Sequence, residues 1–381
     1  MNLAYCTNIH PAESWEQTFS ALRDTALQVR QMLRQSALHF ATYLDPFPLA
    51  PRLSAQAASE LLAGENLQQF RQWIDRENCE VFTINGFPFG AFHGTRVKEN
   101  VYRPDWTEPR RYEYTMDLFR ILTELLPHGK QGSVSTLPGS FKPFAADEEV
   151  IINNLISFAR ELEALSLATG HDLHLGLEPE PLGHFENTAE SIAFFQKLFA
   201  AAENVDCVRR RIGINYDTCH FALEFDDCVE SLERFRHAGI RISKVHLSAA
   251  LEINPHSPEA IPSLQKFVEP TYLHQVLLRH EKMGSIRRFI DLPEFLAAPV
   301  VDADESIARI HFHIPLDAAP VAPLGTTQAH AEQLLAYRKT NPDFCQHFEI
   351  ETYTWGVLPD AMQRPMAEQL AAEYRWVLDR L

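Results

Sequence analysis

Carboxylates follow an apolar stretch of this sequence at the point where a β-strand would end. The stretch His171–His184 places leucines at every second position and then two glutamates, Glu178 and Glu180, each followed by a proline. Leucines at alternate positions are typical of a strand, and proline cannot continue a central strand. The predicted strand therefore ends where the acids begin, and the carboxyl ends of buried strands are where α/β enzymes keep their catalytic groups.

The same arrangement recurs later in the chain, at Asp217, His220, His246, His311, His313, Glu349 and Glu351. Alternate residues of a strand share a face, so each of the last two pairs points one way. Within those pairs, His313 and Glu351 lie nearer the predicted strand ends and are the better candidates. His93 is the weakest candidate, because it lies in a long loop between about residues 87 and 110 and lone loop histidines are commonly solvated.

If these strands are parallel, the acids and imidazoles meet at one end of a sheet. Several carboxylates in a space of low dielectric would repel one another, and one would have to take up a proton. A divalent cation removes this conflict, and oxygen and imidazole ligands suit zinc, manganese, cobalt or iron. The sequence therefore predicts a metal site, although Glu178 and Asp217 could instead cap a turn or helix and His246 could be a core histidine.

Strand and helix patterns alternate along the chain, which favours parallel strands with right-handed crossovers. Eight repeats close a barrel, and nine strand candidates are present, the second of them at Leu38–Asp45. The surplus candidate is Ala308–Leu316, which ends an irregular stretch. We therefore expect a (β/α)₈ TIM barrel with a long elaborated loop after strand seven. Since no Gly-rich or Ser-rich linker divides the chain, one domain over residues 1–381 is preferred.

Composition narrows the function classes. The formal net charge of −17 repels phosphate backbones and disfavours a nucleic-acid partner. The six cysteines lack CxxC spacing and are expected to be reduced, no apolar run is long enough to cross a bilayer, and no signal peptide is apparent. These features predict a cytoplasmic protein. Neither a GxSxG elbow, a Walker loop nor a GxGxxG follows any strand, which disfavours serine hydrolases and nucleotide cofactors.

The order of a Glu, an Asp-x-x-His, a His and a Glu at successive strand ends resembles the xylose isomerase-like barrel superfamily of sugar isomerases, epimerases and endonuclease IV. Within it, the chain is most similar to the EboE group of metabolite traffic proteins. The phrases that carry the likeness span nearly the whole chain and are YCTNIHP, LGLEPEP, NYDTCHFA, KVHLSAAL, HFHIPL and IETYTWGVLP.

This resemblance implies a set of ligands and roles. The epimerase-type metal ligands would be Glu178, Asp217, His246 and Glu351, with Glu178, Glu351 and His220 also catalytic. The motifs of endonuclease IV imply further ligands for a second metal, namely His220, His313, His311 and His93, so that one or two ions are expected per chain. One histidine of that pattern is Leu137 here, which argues against a full trinuclear cluster.

Three functions follow as hypotheses. The leading one is a metal-dependent isomerase or epimerase of a small polyhydroxylated or α-hydroxycarbonyl metabolite, in which Glu178 and Glu351 exchange a proton and His220 steadies the developing oxygen charge. The second is two-metal phosphoester hydrolysis of the endonuclease IV type, for which one ion per chain would be contrary evidence. The third is a non-catalytic protein that binds a metabolite in the barrel mouth for a biosynthetic or traffic pathway.

Overall fold

A computed structural model describes residues 2–36, 43–298, 300, 302, 304–320 and 322–381. Nine parallel strands form its main sheet, in the order β3-β2-β1-β14-β8-β7-β6-β5-β4. Numbered in chain order, they are β1 (Asn2–Cys6), β2 (Phe47–Ala50), β3 (Cys79–Val81), β4 (Thr83–Asn85), β5 (Gln131–Thr136), β6 (Asp172–Leu177), β7 (Ile212–Asp217), β8 (Arg241–Leu247) and β14 (His347–Ile350).

The two edges of this sheet meet and nearly close a barrel. Only Phe82 separates β3, which pairs with β2, from β4, which pairs with β5. Asn85, at the end of β4, forms two backbone hydrogen bonds with the segment that follows β2. Its N–H donates to Pro51 O at 3.0 Å, and its carbonyl accepts from Leu53 N–H at 3.3 Å. The nine segments thus correspond to eight barrel strands of which the third is divided, which confirms the predicted TIM barrel.

Helices surround the strands, and several of them begin after residues whose side chains accept hydrogen bonds from the first turn. The longest, Glu148–Thr169, is capped by the Asp147 carboxylate and ends at Gly170, whose φ of 73° suits glycine. In chain order the α-helices are α1 (Trp15–Ala21), α2 (Leu27–Ser36), α3 (Ala55–Leu62), α4 (Asn66–Arg76), α5 (Pro109–Leu125), α6 (Glu148–Thr169), α7 (Thr188–Ala201), α8 (Val205–Arg211), α9 (Thr218–Leu223), α10 (Cys228–His237), α11 (Ala260–Leu264), α12 (Leu292–Ala297), α13 (Gln328–Thr340) and α14 (Met366–Leu378). Among the described residues, no helix has the length and apolar character needed to cross a membrane.

The second barrel strand lies later than the sequence predicts. Residues 37–42, which include most of the predicted strand Leu38–Asp45, lie outside the described residues, and the strand observed is Phe47–Ala50. Pro48 lies within this strand, although proline is uncommon inside central strands. Its lack of an N–H is tolerated because the recorded pairing with β1 involves only Leu49 and Ala50.

The chain after β8 contains a second sheet where the sequence predicts a long loop. Five antiparallel strands have the order β11-β10-β12-β9-β13. They are β9 (Ala249–Ile253), β10 (Val276–His280), β11 (Ile286–Phe289), β12 (Glu305–Ile314) and β13 (Leu324–Thr326). The surplus candidate Ala308–Leu316 largely coincides with β12 and lies outside the barrel, as predicted. Prolines and short apolar runs obscure these strands in the sequence. Apart from the β10–β11 hairpin, their pairings join segments that are far apart in the chain.

This second sheet brings two histidines towards the barrel. The pairing of β12 with β9 shifts register between Ile310 and Ile314, the interval that contains His311 and His313. Bulges of this kind bend a strand and occur next to functional sites because they redirect side chains.

Candidate metal centre

Three carboxylates and one imidazole meet at the carboxyl end of the barrel. Glu178 follows β6, Asp217 ends β7, His246 lies near the end of β8 and Glu351 follows β14. One ligand-type atom from each residue lies within 4.8 Å of the corresponding atoms of the other three. All four side chains are buried. The structure thus brings together the four residues that the sequence places at separate strand ends.

The three carboxylates converge on one ring nitrogen. The distances from His246 Nδ1 are 3.2 Å to Glu178 Oε1, 3.3 Å to Glu351 Oε2 and 3.7 Å to Asp217 Oδ2. Burial lowers the pKa of His246, but the charges of Glu351 and Glu178 outweigh it and raise the pKa well above the usual value. A cation would stabilise three carboxylates that lie this close together.

Asparagine side chains hold the other oxygen of the two glutamates. Asn215 Nδ2 donates to Glu178 Oε2 at 2.8 Å, and Asn8 Nδ2 donates to Glu351 Oε1. Each glutamate therefore has one oxygen fixed by an amide and one turned towards His246. These two asparagines are not expected to bind a metal themselves, so a search of the sequence for acids and histidines does not find them. For Asn215, the only available signal is its position two residues before Asp217 on β7.

Asp217 shows the same division between its oxygens. Oδ1 accepts from Ser248 Oγ at 2.5 Å and from the N–H groups of Cys219 and His220 at 2.7 and 3.2 Å. Oδ2 is buried and has no hydrogen-bond partner among the described residues. Asp217 thus caps α9, as one of the alternative predictions has it, and still presents one free oxygen to the cluster.

Three histidines form a second group beside the first. His220 Nε2 lies 3.1 Å from His311 Nε2, which lies 3.2 Å from His313 Nε2. All three side chains are buried. Burial lowers the pKa of His220 to about 4, and burial followed by the charges of His220 and His313 lowers the pKa of His311 well below its usual value. The rings of His220 and His311 are therefore neutral at physiological pH.

The opposite nitrogen of each ring faces a carbonyl oxygen. The Nδ1 partners of His220, His311 and His313 are Pro179 O at 3.0 Å, Gln275 Oε1 at 2.7 Å and Glu351 O at 3.0 Å. A carbonyl only accepts, so each Nδ1 carries the hydrogen and each Nε2 of a neutral ring carries a lone pair. The three Nε2 atoms therefore face one another as candidate ligand atoms for a bound cation.

Two acids and a cysteine border the histidine group. Asp217 lies within 4.8 Å of His220 and His313 by ligand-type atoms, and Glu180 lies equally close to His220 and His311. Asp217 therefore joins the two groups. The Cys219 sulphur is within the same distance of His311 and His313, and this residue is not among the predicted site residues. Burial and then Asp217 raise the pKa of this thiol well above its usual value, so it is neutral.

His93 is not brought into either group. Its Nε2 donates to Asn8 O at 2.6 Å and its Nδ1 accepts from the Tyr272 hydroxyl at 2.6 Å. It belongs to none of the possible metal-binding groups found among the described residues. Its contact with Asn8 instead supports the residue that holds Glu351.

A cavity opens over both groups. Its volume is about 60 Å³, which suits ions and a small ligand. Five aromatic side chains are among the residues that line it, namely Phe87, Phe92, Tyr102, Tyr272 and Tyr353. Among the residues that line the cavity, the only lysine or arginine is Lys98, whose ammonium lies 2.5 Å from the Asp291 carboxylate.

The fold matches solved structures over the whole chain. The IOLI protein with a bound zinc atom has 13% identity and a TM-score of 0.51, covering 100% of this chain and 98% of that chain. This chain folds as a TIM barrel. Two weaker matches also cover the whole chain. The 3-keto-D-glucoside 4-epimerase YcjR from E. coli, in its apo form, has 12% identity and a TM-score of 0.48, covering 100% of this chain and 99% of that chain. D-psicose 3-epimerase in the presence of D-fructose has 11% identity and a TM-score of 0.47, covering 100% of this chain and 97% of that chain.

No protein-family model matches the chain, and no curated protein matches it. At these identities the structural matches establish the fold alone. The EboE relationship, the single domain over residues 1–381, the cytoplasmic location and the absence of a nucleic-acid partner therefore stay predictions.

Proposed function

We propose that this chain is a metal-dependent isomerase or epimerase of a small polyhydroxylated or α-hydroxycarbonyl metabolite. The proposed ligands of a divalent ion are Glu178, Asp217, His246 and Glu351. The observation that supports it most is the convergence of three carboxylate oxygens on His246 Nδ1.

The donor atoms suit zinc, manganese, cobalt or iron. Within the described part of the chain, Asp217 Oδ2 is buried with no hydrogen-bond partner, which costs free energy unless a cation occupies the space before it. Three carboxylate oxygens and one imidazole nitrogen are ligands that these ions accept. The IOLI protein, which shares the fold, binds zinc.

The proposed reaction uses the two glutamates. A bound ion would polarise the substrate carbonyl and acidify the neighbouring C–H. Glu178 and Glu351 approach His246 from different strands, and we assign them the removal and return of the proton. The amides of Asn215 and Asn8 fix one oxygen of each and so aim the other.

The role of His220 is revised in this proposal. To steady a developing oxygen charge, His220 would have to donate from Nε2, yet Nδ1 faces the Pro179 carbonyl and the pKa is about 4. The neutral ring presents a lone pair instead. We therefore assign His220, with His311 and His313, to a second cation.

A second candidate function follows from that assignment. The three Nε2 atoms, 3.1 and 3.2 Å apart in succession, lie beside the first group and share Asp217 with it. Two adjacent cations are the usual requirement for metal-assisted phosphoester hydrolysis. The second candidate is therefore a two-metal phosphoester hydrolase.

Hydrogen exchange separates the candidates. Protein loaded with zinc, manganese or cobalt is incubated in D₂O with a panel of ketoses and aldoses, and in parallel with bis(p-nitrophenyl) phosphate. Proton abstraction next to a carbonyl places deuterium on the substrate carbon, which NMR detects. Deuterium incorporation supports the isomerase, and release of nitrophenol without incorporation supports the hydrolase. Metal-loaded protein that does neither but retains a metabolite tightly supports the binding or traffic function.

The metal assignment has its own test. We expect Asp217→Ala and Glu178→Ala to lower metal content, measured by elemental analysis, by about tenfold or more, because each removes a ligand oxygen. Glu161→Ala, on the exposed side of α6, is the matched control. Full occupancy in both ligand variants would contradict the assignment.

A further inference from the structure

A lysine and a glutamate form an ion pair inside the barrel. Lys244 on β8 and Glu349 on β14 are both 0% exposed, and the ammonium contacts Glu349 Oε1. Barrel interiors are usually filled by branched apolar side chains. Removing two charges from water costs several kcal/mol, and replacing such a pair by apolar residues is often neutral or stabilising. Stability alone therefore does not account for this pair.

Hydrogen bonds through one asparagine also connect the two residues. Lys244 Nζ donates to Asn85 Oδ1, which also accepts from Ser135 Oγ at 2.9 Å. Asn85 Nδ2 donates to Glu349 Oε2 at 2.6 Å. Glu349 is thus held from both sides, by an ammonium at one oxygen and an amide at the other.

Glu349 lies behind His246. The two residues are direct partners in the pairing of β14 with β8, and Glu349 Oε2 is 3.9 Å from His246 Nε2. The other nitrogen, Nδ1, faces the three carboxylates of the proposed metal centre. The imidazole therefore stands between the metal-facing acids and a fourth acid below them.

A histidine that binds through Nδ1 must carry its hydrogen on Nε2, and a carboxylate near that hydrogen fixes the tautomer and ring orientation. Lys244 lies two residues before His246 on the same face of β8 and balances the charge of Glu349. Without that ammonium, Glu349 would add one more negative charge to a site that already has three.

We infer that Glu349, charge-balanced by Lys244, is a positioning residue for His246 and sets the metal affinity of the centre. This inference rests on the proposed function, since it takes His246 as a ligand. It goes further by assigning a role to two residues that touch neither the cavity acids nor a substrate.

Cobalt binding tests the inference, because Co(II) reports both affinity and ligand geometry. Wild type, Glu349→Gln and Lys244→Met are titrated with Co(II) against a competing chelator, and the visible absorption bands are recorded. We expect Glu349→Gln to bind Co(II) about 10- to 100-fold more weakly and to shift the bands. Lys244→Met should also shift the bands, because Glu349 loses the ammonium that contacts one of its oxygens.

Ser133→Ala is the matched control. Its hydroxyl also lies inside the barrel, where it bonds to Thr83 and His347 but not to the ion pair. Affinity and bands should stay as in wild type. If Lys244→Met does not fold, the double variant Lys244→Met/Glu349→Gln replaces it, since it buries no unpaired charge, and its affinity should match that of Glu349→Gln.

Two results would overturn the inference and differ in meaning. If Glu349→Gln binds Co(II) with wild-type affinity and bands while unfolding more readily in urea, the pair is structural and the metal centre stands without it. If wild type binds no Co(II), the proposed metal centre itself is wrong.

Discussion

At the scale of single residues, the candidate centre depends on donors that take no part in chemistry. Asn215, Asn8 and Ser248 each bind one carboxylate oxygen and leave the other facing His246. Fixing a ligand in this way lowers the entropy lost when a metal binds. Such outer partners contribute to affinity nearly as ligands do.

The first prediction concerns one of these donors. Asn215→Ala removes the amide from Glu178 Oε2 and leaves that buried carboxylate free to turn, so we expect metal affinity to fall about 10- to 100-fold while the fold persists. Calorimetric titration with zinc in the presence of a chelator measures the change. Asn66→Ala is the control, because its amide bonds only to the backbone of Glu60 in the hydrogen bonds recorded for the described residues. An unchanged affinity in Asn215→Ala would show that Glu178 is oriented by its backbone alone.

At the scale of elements, the sequence reveals the barrel strands and their polar ends well. Glu178, Asp217, His246 and Glu351 could be found because each follows an apolar run, and a parallel barrel brings such ends together. His311 and His313 could be found as a pair, but their approach depends on a register shift in β12 that local patterns do not encode. The second sheet was missed for a related reason, since all of its pairings except the β10–β11 hairpin join strands that lie dozens of residues apart.

Close strand packing inside the barrel gives the second prediction. A Cβ at Gly213 of β7 would lie 2.4 Å from Arg241 O and 2.6 Å from Ser243 Oγ on β8. Both strands would have to separate, and they end in Asp217 and His246. We expect Gly213→Ala to lower the free energy of unfolding by about 1–3 kcal/mol, measured by urea denaturation. Gly90→Ala, which meets nothing within 4 Å, should change it little; equal stability of the two variants would contradict the packing argument.

At the scale of the whole molecule, both sheets contribute to the proposed chemistry. The barrel supplies the four acidic and imidazole ligands of the first group, whereas β12 of the second sheet supplies two of the three histidines of the other. A second cation therefore requires the two sheets to be folded against each other. The first site requires the barrel strands alone.

The pH dependence of the free energy of unfolding is also a property of the whole fold. One buried carboxyl group, that of Glu373, makes a contribution to it that a single substitution can isolate. Glu373 on α14 is 0% exposed and accepts from Leu316 N–H at 3.0 Å and Thr352 Oγ1 at 2.6 Å. Burial raises its pKa from 4.5 to about 7, against the lowering effect of these hydrogen bonds. The folded protein therefore holds a proton here that the unfolded chain has already released.

The last prediction follows from that difference in proton binding. Between pH 4.5 and about 7 the folded state binds more protons at Glu373 than the unfolded state does. The contribution of this group to the free energy of unfolding is therefore complete below pH 4.5, declines as the pH rises, and levels off above about pH 7. The total is about 3 kcal/mol. Glu373→Gln keeps an acceptor oxygen but cannot ionise, so its free energy of unfolding, relative to wild type, should rise by about that amount from pH 4.5 to 7.5. Urea denaturation across this range measures the difference, and a constant difference would show that Glu373 is already ionised in the folded protein.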